Sequence, residues 1–252
     1  MNLLFTVCGR AGSKGCKNKN VREFLGQPLV KYTISAISLF INRNYKDYGR
    51  IDICVNSDSE ELLNLAKLTK DDIVCINRNK FLAQDNTPKV DVIKNSVEYC
   101  EEINNVKYDM VVDLDITSPL RKVKDIESAI KEKINQKDKD IIFSVVESRR
   151  NPYFNMVQNI DGNYELIIES TYVTRQQAPT TYDMNASIYV YDRECLSDEK
   201  LQTLFEGPCG IVEMIDTGVL DIDSDADFEL MEVVAKYFMN KDSEFKEILD
   251  NI

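Results

Sequence analysis

Histidine and tryptophan are both absent from the sequence. The absence of histidine excludes a Ser-His-Asp triad, a Cys-His pair, a histidine general base and any histidine metal ligand. Chemistry at this protein must therefore depend on carboxylates, lysine, arginine, hydroxyls, thiols, backbone dipoles or a bound ion.

Glycine is also scarce, with nine residues in a chain of 252. That is roughly half of the average share of glycine in proteins. Three of the nine lie within seven residues, at Gly9, Gly12 and Gly15. Because glycine lets a backbone approach a ligand closely, this clustering points to a binding loop.

Long apolar runs are missing too, since no stretch approaches the roughly 20 apolar residues that span a bilayer. The N-terminus lacks the basic region of a signal peptide. The seven cysteines are odd in number and show no C-x-x-C spacing, which favours core thiols in a reducing compartment, Cys8 and Cys16 included. We therefore expect a cytoplasmic protein with no membrane partner.

The charge is strongly negative overall but unevenly distributed. The net charge is −12, yet residues 1–22 carry five basic side chains and no acid. The other 230 residues then carry 26 basic and 43 acidic side chains, or −17. This balance argues against a nucleic-acid partner, which needs a basic face, and indicates a local site for a small anion.

Short apolar runs alternate with amphipathic segments over the first 146 residues. Strands are predicted at residues 3–7, 50–55, 73–76, 109–114 and 140–146. Helices are predicted after Pro28, at 62–68, from Pro88 to about 103, and at 123–134. This alternation is typical of an α/β fold with a mostly parallel sheet. Since ligands bind beyond the carboxyl ends of such strands, the loops after Val7, Val55, Ile76 and Leu114 should line one cleft.

The alternation stops after Glu147. Residues 152–168 predict a β-hairpin that turns at Asp161-Gly162, and a strand is expected at 187–191. This region is either an insertion over the cleft or an oligomerisation arm. Late strands at 212–215 and 219–222 and a closing helix at 228–238 follow. With no linker in the sequence, we expect one domain over residues 1–252, with residues 147–184 inserted in it.

The glycine cluster has the spacing G-x-x-G-x-x-G and directly follows the first predicted strand. It matches neither the dinucleotide fingerprint nor the P-loop. Its glycines can point N–H groups at an anion, and Arg10, Lys14 and Lys19 supply positive charge, a combination that suits a polyphosphate. The alternative is a solvated basic turn.

Two D-x-D patterns end predicted strands, at Asp113–Asp115 and at Asp221–Asp223. Alternation places both carboxylates of a pair on one face, where two oxygen ligands suit Mg²⁺. A solvated turn is the alternative for either pattern alone.

Two polar segments near these patterns have helix-capping interpretations. Asp225 and Asp227 are expected to cap the last helix. Thr117 and Ser118 either offer hydroxyls to the cleft or cap the following helix, and both roles are compatible.

Five stretches, in order along the chain, resemble motifs of the CMP-sialic acid synthetases, the acylneuraminate cytidylyltransferases. They are Arg10–Gly15 with Lys19-Asn20, Cys54–Asp58, Arg78 with Leu82–Asp85, Thr117–Arg121, and Leu220–Asp223 with Asp227-Phe228. The resemblance covers essentially the whole chain. It implies a Rossmann-like, GT-A-like nucleotidyltransferase fold with helices on both faces of the sheet. The implied reaction is attack by the anomeric hydroxyl of a nine-carbon 2-keto sugar acid on the α-phosphate of CTP, with Mg²⁺, to give CMP-sugar and pyrophosphate.

The resemblance also implies roles for individual residues. The catalytic groups are expected to be Arg10, Lys19, Asp221 and Asp223, of which the two aspartates bind metal. The expected nucleotide-binding residues are Arg10, Gly12, Ser13, Lys14, Lys19, Asn20, Arg78 and Asp85. The expected sugar-binding residues are Asp115, Ser118, Arg175, Gln176, Asn185 and Tyr189.

The sequence departs from the family pattern at three places that bear on which sugar acid is the substrate. The family often has glutamine at Asp115, a basic group near Asp183-Met184 and glycine at Ala186, and Asp115 could bind either metal or sugar hydroxyls. Residues 149–155 and 182–189 look more like the bacterial subgroup acting on legionaminic acid, a sugar used on flagella and surface polysaccharides. Tyr153, Phe154 and Met184 suit a less hydroxylated substrate with an extra acetamido methyl, or else Tyr153 and Phe154 pack a dimer interface.

Residues 147–184 match the family's β-rich dimerisation arm, so a homodimer is expected. The alternatives are a CMP-KDO-type enzyme for an eight-carbon sugar acid, another GT-A-like nucleotidyl or glycosyl transferase, and a catalytically silent nucleotide-binding protein. An NAD-dependent dehydrogenase fits poorly because the glycine spacing is wrong.

Overall fold

The computed structural model describes residues 1–12, 15–198, 201–218 and 221–252. Its strands are β1 (Asn2–Gly9), β2 (Glu23–Phe24), β3 (Gln27–Pro28), β4 (Arg50–Ser57), β5 (Val74–Asn77), β6 (Met110–Leu114), β7 (Ile141–Glu147), β8 (Val157–Ile160), β9 (Asn163–Leu166), β10 (Tyr182–Asp192) and β11 (Cys209–Glu213). Its helices are α1 (Leu29–Asn44), α2 (Glu60–Thr69), α3 (Lys89–Asn104), α4 (Val123–Asn135), α5 (Asp225–Lys241) and α6 (Ser243–Asp250).

A seven-stranded sheet in the order β11-β7-β10-β6-β1-β4-β5 forms the centre of the fold. Its pairs are parallel except for those of β10, which runs antiparallel to both β6 and β7. The expected mostly parallel sheet is confirmed. The carboxyl ends of β1, β4, β5, β6 and β7 therefore share one edge, together with the start of β10.

Two apolar cores cover the sheet because successive side chains of a buried strand point to opposite faces. Leu3, Phe5 and Val7 of β1 face the larger core, built with α1, α2, α4, α5 and α6. Leu4 faces the smaller core, which α3 covers. Burial of such a side chain contributes about 1.5–3 kcal/mol. The prediction of helices on both faces is confirmed, with an uneven division.

The strand and helix predictions up to residue 146 are confirmed to within a few residues at their ends. One late strand is wrong: Asp221 and Ile222 have no strand pairing and lead into α5 as irregular backbone, while Val219 and Leu220 lie outside the described residues. The closing helix begins at Asp225, and the structure adds α6, which the sequence did not predict.

The predicted hairpin is confirmed as the antiparallel pair β8 and β9. Asp161 and Gly162 have φ of 50° and 90°, the left-handed conformations of a tight hairpin turn. This hairpin forms a sheet of its own, separate from the seven-stranded one.

The strand β10 contains an irregularity close to the cleft edge. Its register with β7 shifts between Met184 and Tyr189, and Ala186 has φ of 48°. A left-handed conformation costs a residue with a Cβ roughly 1–2 kcal/mol, which explains a preference for glycine at such a position. The distortion redirects the side chains of this strand where they approach the cleft.

The helices and the cysteines bear on the expected absence of a membrane partner and of disulfides. Among the residues that the structure describes, no helix is both long and apolar enough to cross a bilayer. The seven cysteines are free thiols, and burial raises the pKa values of Cys8 and Cys16. The two thiols beside the basic loop are therefore protonated at neutral pH, which fits the structural role expected of them.

Candidate functional site

A cleft of about 380 Å³ opens at the carboxyl ends of the parallel strands. Its lining combines the basic loop, the segment after β6 and the acidic segment before α5. The lining residues are Cys8, Arg10, Gly15, Cys16, Lys19, Asn20, Asp115, Thr117, Asp221 and Asp223. Of the four loops predicted to line one cleft, those after Val7 and Leu114 supply lining residues, whereas those after Val55 and Ile76 supply none.

The basic loop presents two cations to this cleft. Arg10 Nη1 lies 2.5 Å from Asp85 Oδ1, and Lys19 Nζ lies 2.5 Å from the Ile222 carbonyl oxygen and 3.3 Å from Asp223 Oδ1. Both cations are thus within reach of an anion yet held by acidic or carbonyl partners. The arrangement supplies positive charge from two sides.

The backbone of the loop is fixed by its own contacts. The buried Asn20 side-chain amide donates to the Arg10 carbonyl oxygen at 3.2 Å. The Ala11 N–H donates to Asp58 Oδ1 at 2.8 Å, and Gly12 has φ of 73°. Ser13 and Lys14, both expected to bind nucleotide, lie outside the described residues.

The loop is attached directly to the acidic segment. A Cβ added to Gly15 would lie 1.9 Å from the Asp223 carbonyl oxygen, so only glycine fits here. Arg22 Nη1 lies 2.5 Å from Asp225 Oδ1, and its guanidinium stacks 4.1 Å from the Phe228 ring centroid. These contacts hold the basic loop against the start of α5.

The acidic segment places two different carboxylates in the cleft. Asp221 is half-buried, and burial followed by the nearby charge of Asp115 raises its pKa. Asp223 is exposed, with 80% of its side chain accessible. Since residues 221–223 are not a strand, strand alternation is not the reason that both carboxylates meet there.

The residues after this segment cap α5 as expected. The Ser224 side chain accepts from the Asp227 N–H, and the Asp227 carboxylate accepts from the Ser224 N–H at 2.8 Å. The Ser224 hydroxyl also donates to Asp227 Oδ2 at 2.8 Å, and this bond, followed by the N–H bonds of Ser224 and Asp223, lowers the pKa of Asp227. Asp227 is thereby engaged at the helix terminus, which separates it from the two cleft carboxylates.

The donor set fits a magnesium ion that is shared with substrate. Among the described residues, no group of three or more acidic or cysteine side chains could hold a metal ion. Mg²⁺ usually takes one or two carboxylates and completes its shell with phosphate oxygens and water. Asp221 and Asp223 match that pattern.

The segment after β6 contains a further charged cluster around Lys89. Lys89 Nζ lies 2.7 Å from Asp113 Oδ2 and 2.7 Å from Asp115 Oδ2. Burial lowers the pKa of Lys89, but the two carboxylates outweigh it and the net pKa is raised. Burial likewise opposes ionisation of Asp115, and Lys89 and Thr117 outweigh it to lower its pKa. Lys89 and Asp115 are therefore both charged at neutral pH.

The buried side chain of Arg121 holds the backbone at Asp115 through hydrogen bonds. Its guanidinium is 1% exposed and donates to the carbonyl oxygens of Asp115 and Ser187 at 2.5 and 3.0 Å. It also donates to Thr33 Oγ1. Burial lowers the pKa of Arg121 to about 10, so it stays protonated at neutral pH. Arg121 fixes the backbone that carries Asp115.

The residues expected near the base lie beside the cleft. Arg78 is 7% exposed and donates to the Asn56 side-chain oxygen at 2.9 Å and to its carbonyl oxygen at 2.6 Å. Burial lowers the pKa of Arg78. Asp85 reaches the cleft through its ion pair with Arg10. Arg78 and Asp85 both interact with Arg10, but neither is among the residues that line the cleft.

The residues expected to bind sugar are only partly brought together. Asp115 lines the cleft, and the Tyr189 ring lies 5.2 Å from Lys89 Nζ. Burial raises the pKa of Tyr189 to about 12, so its phenol is neutral. Ser118 is buried, and Asn185 is buried with its amide bonded to Ser144 and Met214.

Arg175 and Gln176 line a separate cavity of about 430 Å³. Arg175 Nη2 donates to the Ser148 carbonyl oxygen at 2.7 Å there. Glu147, Ser148 and Asn151 complete this side of the cavity. Arg175 and Gln176 are therefore not among the residues that line the cleft beside the basic loop.

Sequence reasoning missed Lys89 and the latch formed by Arg22 and Asp225. One signal was available for Lys89, which is the first residue of α3 and follows Pro88. The N-terminus of a helix carries partial positive charge and disfavours a cation. A lysine there indicates acidic partners from elsewhere in the chain.

Comparison with known proteins gives a consistent result. A family model described as Cytidylyltransferase matches residues 5–214. Post-translational flagellin modification protein B of Campylobacter coli is 34% identical over 234 residues, which cover 93% of this chain and 95% of that protein. CMP-N,N'-diacetyllegionaminic acid synthase of Campylobacter jejuni is 34% identical over 230 residues, covering 91% of this chain and 93% of that enzyme.

The fold itself has a solved counterpart. The structure of a CMP:2-keto-3-deoxy-manno-octonic acid synthetase complexed with CTP superposes with a TM-score of 0.65. The superposition covers 94% of this chain and 99% of that one at 14% identity. The sheet and its helices thus have a nucleotidyltransferase architecture.

Proposed function

Because this chain belongs to the cytidylyltransferase family, we propose that it transfers CMP from CTP to a nine-carbon 2-keto sugar acid and releases pyrophosphate. The observation that carries the proposal is the meeting of the basic loop and the acidic segment in one cleft. The sugar class follows from relatives named for legionaminic, pseudaminic and N-acylneuraminic acids. Among these, legionaminic acid is favoured by the 34% identity of its synthase, against 27% for the other two.

The proposed reaction exchanges one P–O bond for another. The anomeric oxygen of the sugar acid forms a bond to the α-phosphorus of CTP as the bond from that phosphorus to the bridging oxygen breaks. Pyrophosphate leaves with the electron pair, and the hydroxyl proton passes to solvent. Catalysis of such a transfer is mainly positioning and charge neutralisation, which suits a protein without histidine.

The chain's own groups divide this work between the two sides of the cleft. Arg10 and Lys19, together with Ser13, Lys14 and the Gly12 backbone, would hold the triphosphate. Asp221 and Asp223 would hold Mg²⁺, which supplies charge neutralisation of the phosphates when bound. Lys19, placed 3.3 Å from Asp223 Oδ1, joins the cationic and anionic sides.

The remaining proposed contacts define the two substrates. Asn20, Arg78 and Asp85 would face the cytidine. Asp115, Ser118 and Tyr189 would face the sugar, with Arg175, Gln176 and Asn185 further out. The Tyr153 ring packs edge-on against the Tyr172 ring, with 6.3 Å between the ring centroids. Tyr153 and Tyr172 would therefore contact an apolar part of the substrate together.

A pyrophosphate-release assay tests the proposed function. CTP with N,N'-diacetyllegionaminic acid is expected to give Mg²⁺-dependent pyrophosphate, with lower rates for N-acetylneuraminic, pseudaminic and eight-carbon 2-keto acids. UTP and ATP serve as controls for the base. Binding of CTP without pyrophosphate from any sugar acid would instead identify a silent nucleotide-binding protein, and preference for the eight-carbon acid would reassign the substrate.

We also infer that the chain forms a homodimer through residues 147–184. This region exposes eight large apolar side chains, namely Val157, Ile160, Tyr164, Ile167, Ile168, Tyr172, Val173 and Tyr182. A patch of this kind indicates a protein interface. Light scattering is expected to give twice the 29.0 kDa chain mass. A fully active monomer would contradict the inference, and Tyr164→Glu with Val173→Glu should shift the mass toward the monomer.

A further inference from the structure

Lys89 occupies a position that the proposed reaction leaves without a role. It is the first residue of α3, its side chain is 36% exposed, and its ammonium lies between two strand-end carboxylates. The helix terminus repels this cation, so the placement depends on Asp113 and Asp115. Because the Lys89 ammonium lies at a helix N-terminus, which disfavours a cation, the function of this cluster depends on the two carboxylates.

The two carboxylates differ in what else they contact. Asp113 is 0% exposed, and its Oδ1 accepts from Thr6 Oγ1 at 2.8 Å. Its Oδ2 lies 2.7 Å from Lys89 Nζ, and no further hydrogen-bond donor reaches that oxygen among the described residues. Asp113 therefore anchors the ammonium from below and is not available to a ligand.

Asp115, in contrast, lines the cleft. Its Oδ2 is bound by Lys89, and its Oδ1 accepts from Thr117 Oγ1 at 2.9 Å. Thr117, Asp221 and Asp223 line the same cleft. Asp115 nevertheless does not form a three-carboxylate metal site with Asp221 and Asp223, since no group of three such side chains among the described residues could hold a metal ion.

We propose that Lys89 is a positioning residue that reserves Asp115 for hydrogen bonds with the sugar acid and keeps it out of the metal shell of Asp221 and Asp223. Lys89 and Thr117 hold one oxygen each, which fixes the carboxylate plane. Oδ1 already accepts from both the hydroxyl and the N–H of Thr117, so Oδ2 is the oxygen that retains a lone pair for a hydroxyl or amide N–H of the substrate. This inference rests on the proposed function, from which both the sugar substrate and the metal shell of Asp221 and Asp223 are taken.

The role of Lys89 is tested in a background that carries Asp113→Asn, so that loss of Lys89 does not also destabilise the fold. Loss of Lys89 alone would leave the Asp113 carboxylate buried and without an ion-pair partner, which destabilises the fold strongly. Asp113→Asn removes that charge while Lys89 keeps its contact with Asp115. The comparison is therefore between Asp113→Asn and the double variant Asp113→Asn/Lys89→Met, with Asp113→Asn/Lys89→Arg restoring the charge.

The first readout is Mn²⁺ binding without substrates, measured by electron paramagnetic resonance of the free ion. The double variant with methionine is expected to bind Mn²⁺ on the order of tenfold more tightly than Asp113→Asn, because a third carboxylate joins the shell. The arginine variant should return the affinity to that of Asp113→Asn. Equal Mn²⁺ affinity in all three would overturn the inference.

The second readout is steady-state kinetics with N,N'-diacetyllegionaminic acid. The methionine variant is expected to raise the KM for the sugar acid roughly tenfold, the effect of one lost hydrogen bond to a charged group, and to leave the KM for CTP unchanged. A rise in both KM values would show a merely structural role. If the wild type releases no pyrophosphate at all, the proposed function fails, and the Mn²⁺ measurement still decides the role of Lys89.

Discussion

Asp221→Asn and Asp223→Asn are each expected to reduce turnover by roughly a hundredfold or more and to leave the fold intact. Both carboxylates line the cleft beside the basic loop. An amide of the same shape keeps the hydrogen-bonding outline but removes the charge that a divalent ion requires. Mg²⁺-dependent pyrophosphate release measures the loss, and circular dichroism with thermal melting checks the fold.

The stability of Asp221→Asn gives an internal control whose sign follows from the pKa. Burial and Asp115 raise the pKa of Asp221 in the folded state, so folding disfavours its charged form at neutral pH. Asparagine removes that cost, and the Tm of the variant at pH 7 should equal or exceed that of the wild type. The difference in Tm should vanish as the pH falls below the unfolded pKa of an aspartate, where the carboxyl is protonated in both the folded and the unfolded state.

Unchanged Mg²⁺-dependent turnover in both Asp221→Asn and Asp223→Asn would refute the metal assignment.

Gly15→Ala is expected to lower kcat/KM for CTP by roughly a hundredfold with little change in Tm. The added Cβ would lie 1.9 Å from the Asp223 carbonyl oxygen, so loop and acidic segment must separate. A displacement of about 1 Å at a phosphate site costs on the order of a hundredfold in rate. The fold should tolerate it because Gly15 is exposed and belongs to no helix or strand.

Lys17→Ala is the matched control for Gly15→Ala, since Lys17 is an exposed residue of the same loop. It should retain most of the wild-type kcat/KM. Wild-type kinetics in Gly15→Ala would show that the contact between the loop and residue 223 is not needed for catalysis. Equal losses in both variants would indicate that the loop is sensitive to any substitution, and would contradict a specific effect of the close approach at Gly15.

The parts of the fold that follow from local patterning were predictable from the sequence. Buried runs such as residues 3–7 and caps such as Ser59, which accepts from the Leu62 N–H, specify their elements directly. The turn at Asp161-Gly162 was equally plain, because its left-handed conformations need these residue types. Such signals lie within a few residues of the structure that they determine.

The parts that depend on distant contacts were not predictable. Lys89 is separated by 24 and 26 residues from the carboxylates that hold it, and Arg22 by 203 from Asp225. Asp221 and Asp223 were expected on a strand, yet irregular backbone tied to Gly15 places them in the cleft. Local periodicity carries no information about pairs of this kind.

The antiparallel direction of β10 has an evolutionary consequence. Since β10 begins at the edge where β7 ends, Tyr182 pairs with Glu147 and the segment between them leaves and re-enters the sheet at adjacent points. Its length and sequence can change without moving the register of the central strands. Residues 148–181 can therefore diverge between relatives more freely than the strands on either side of them.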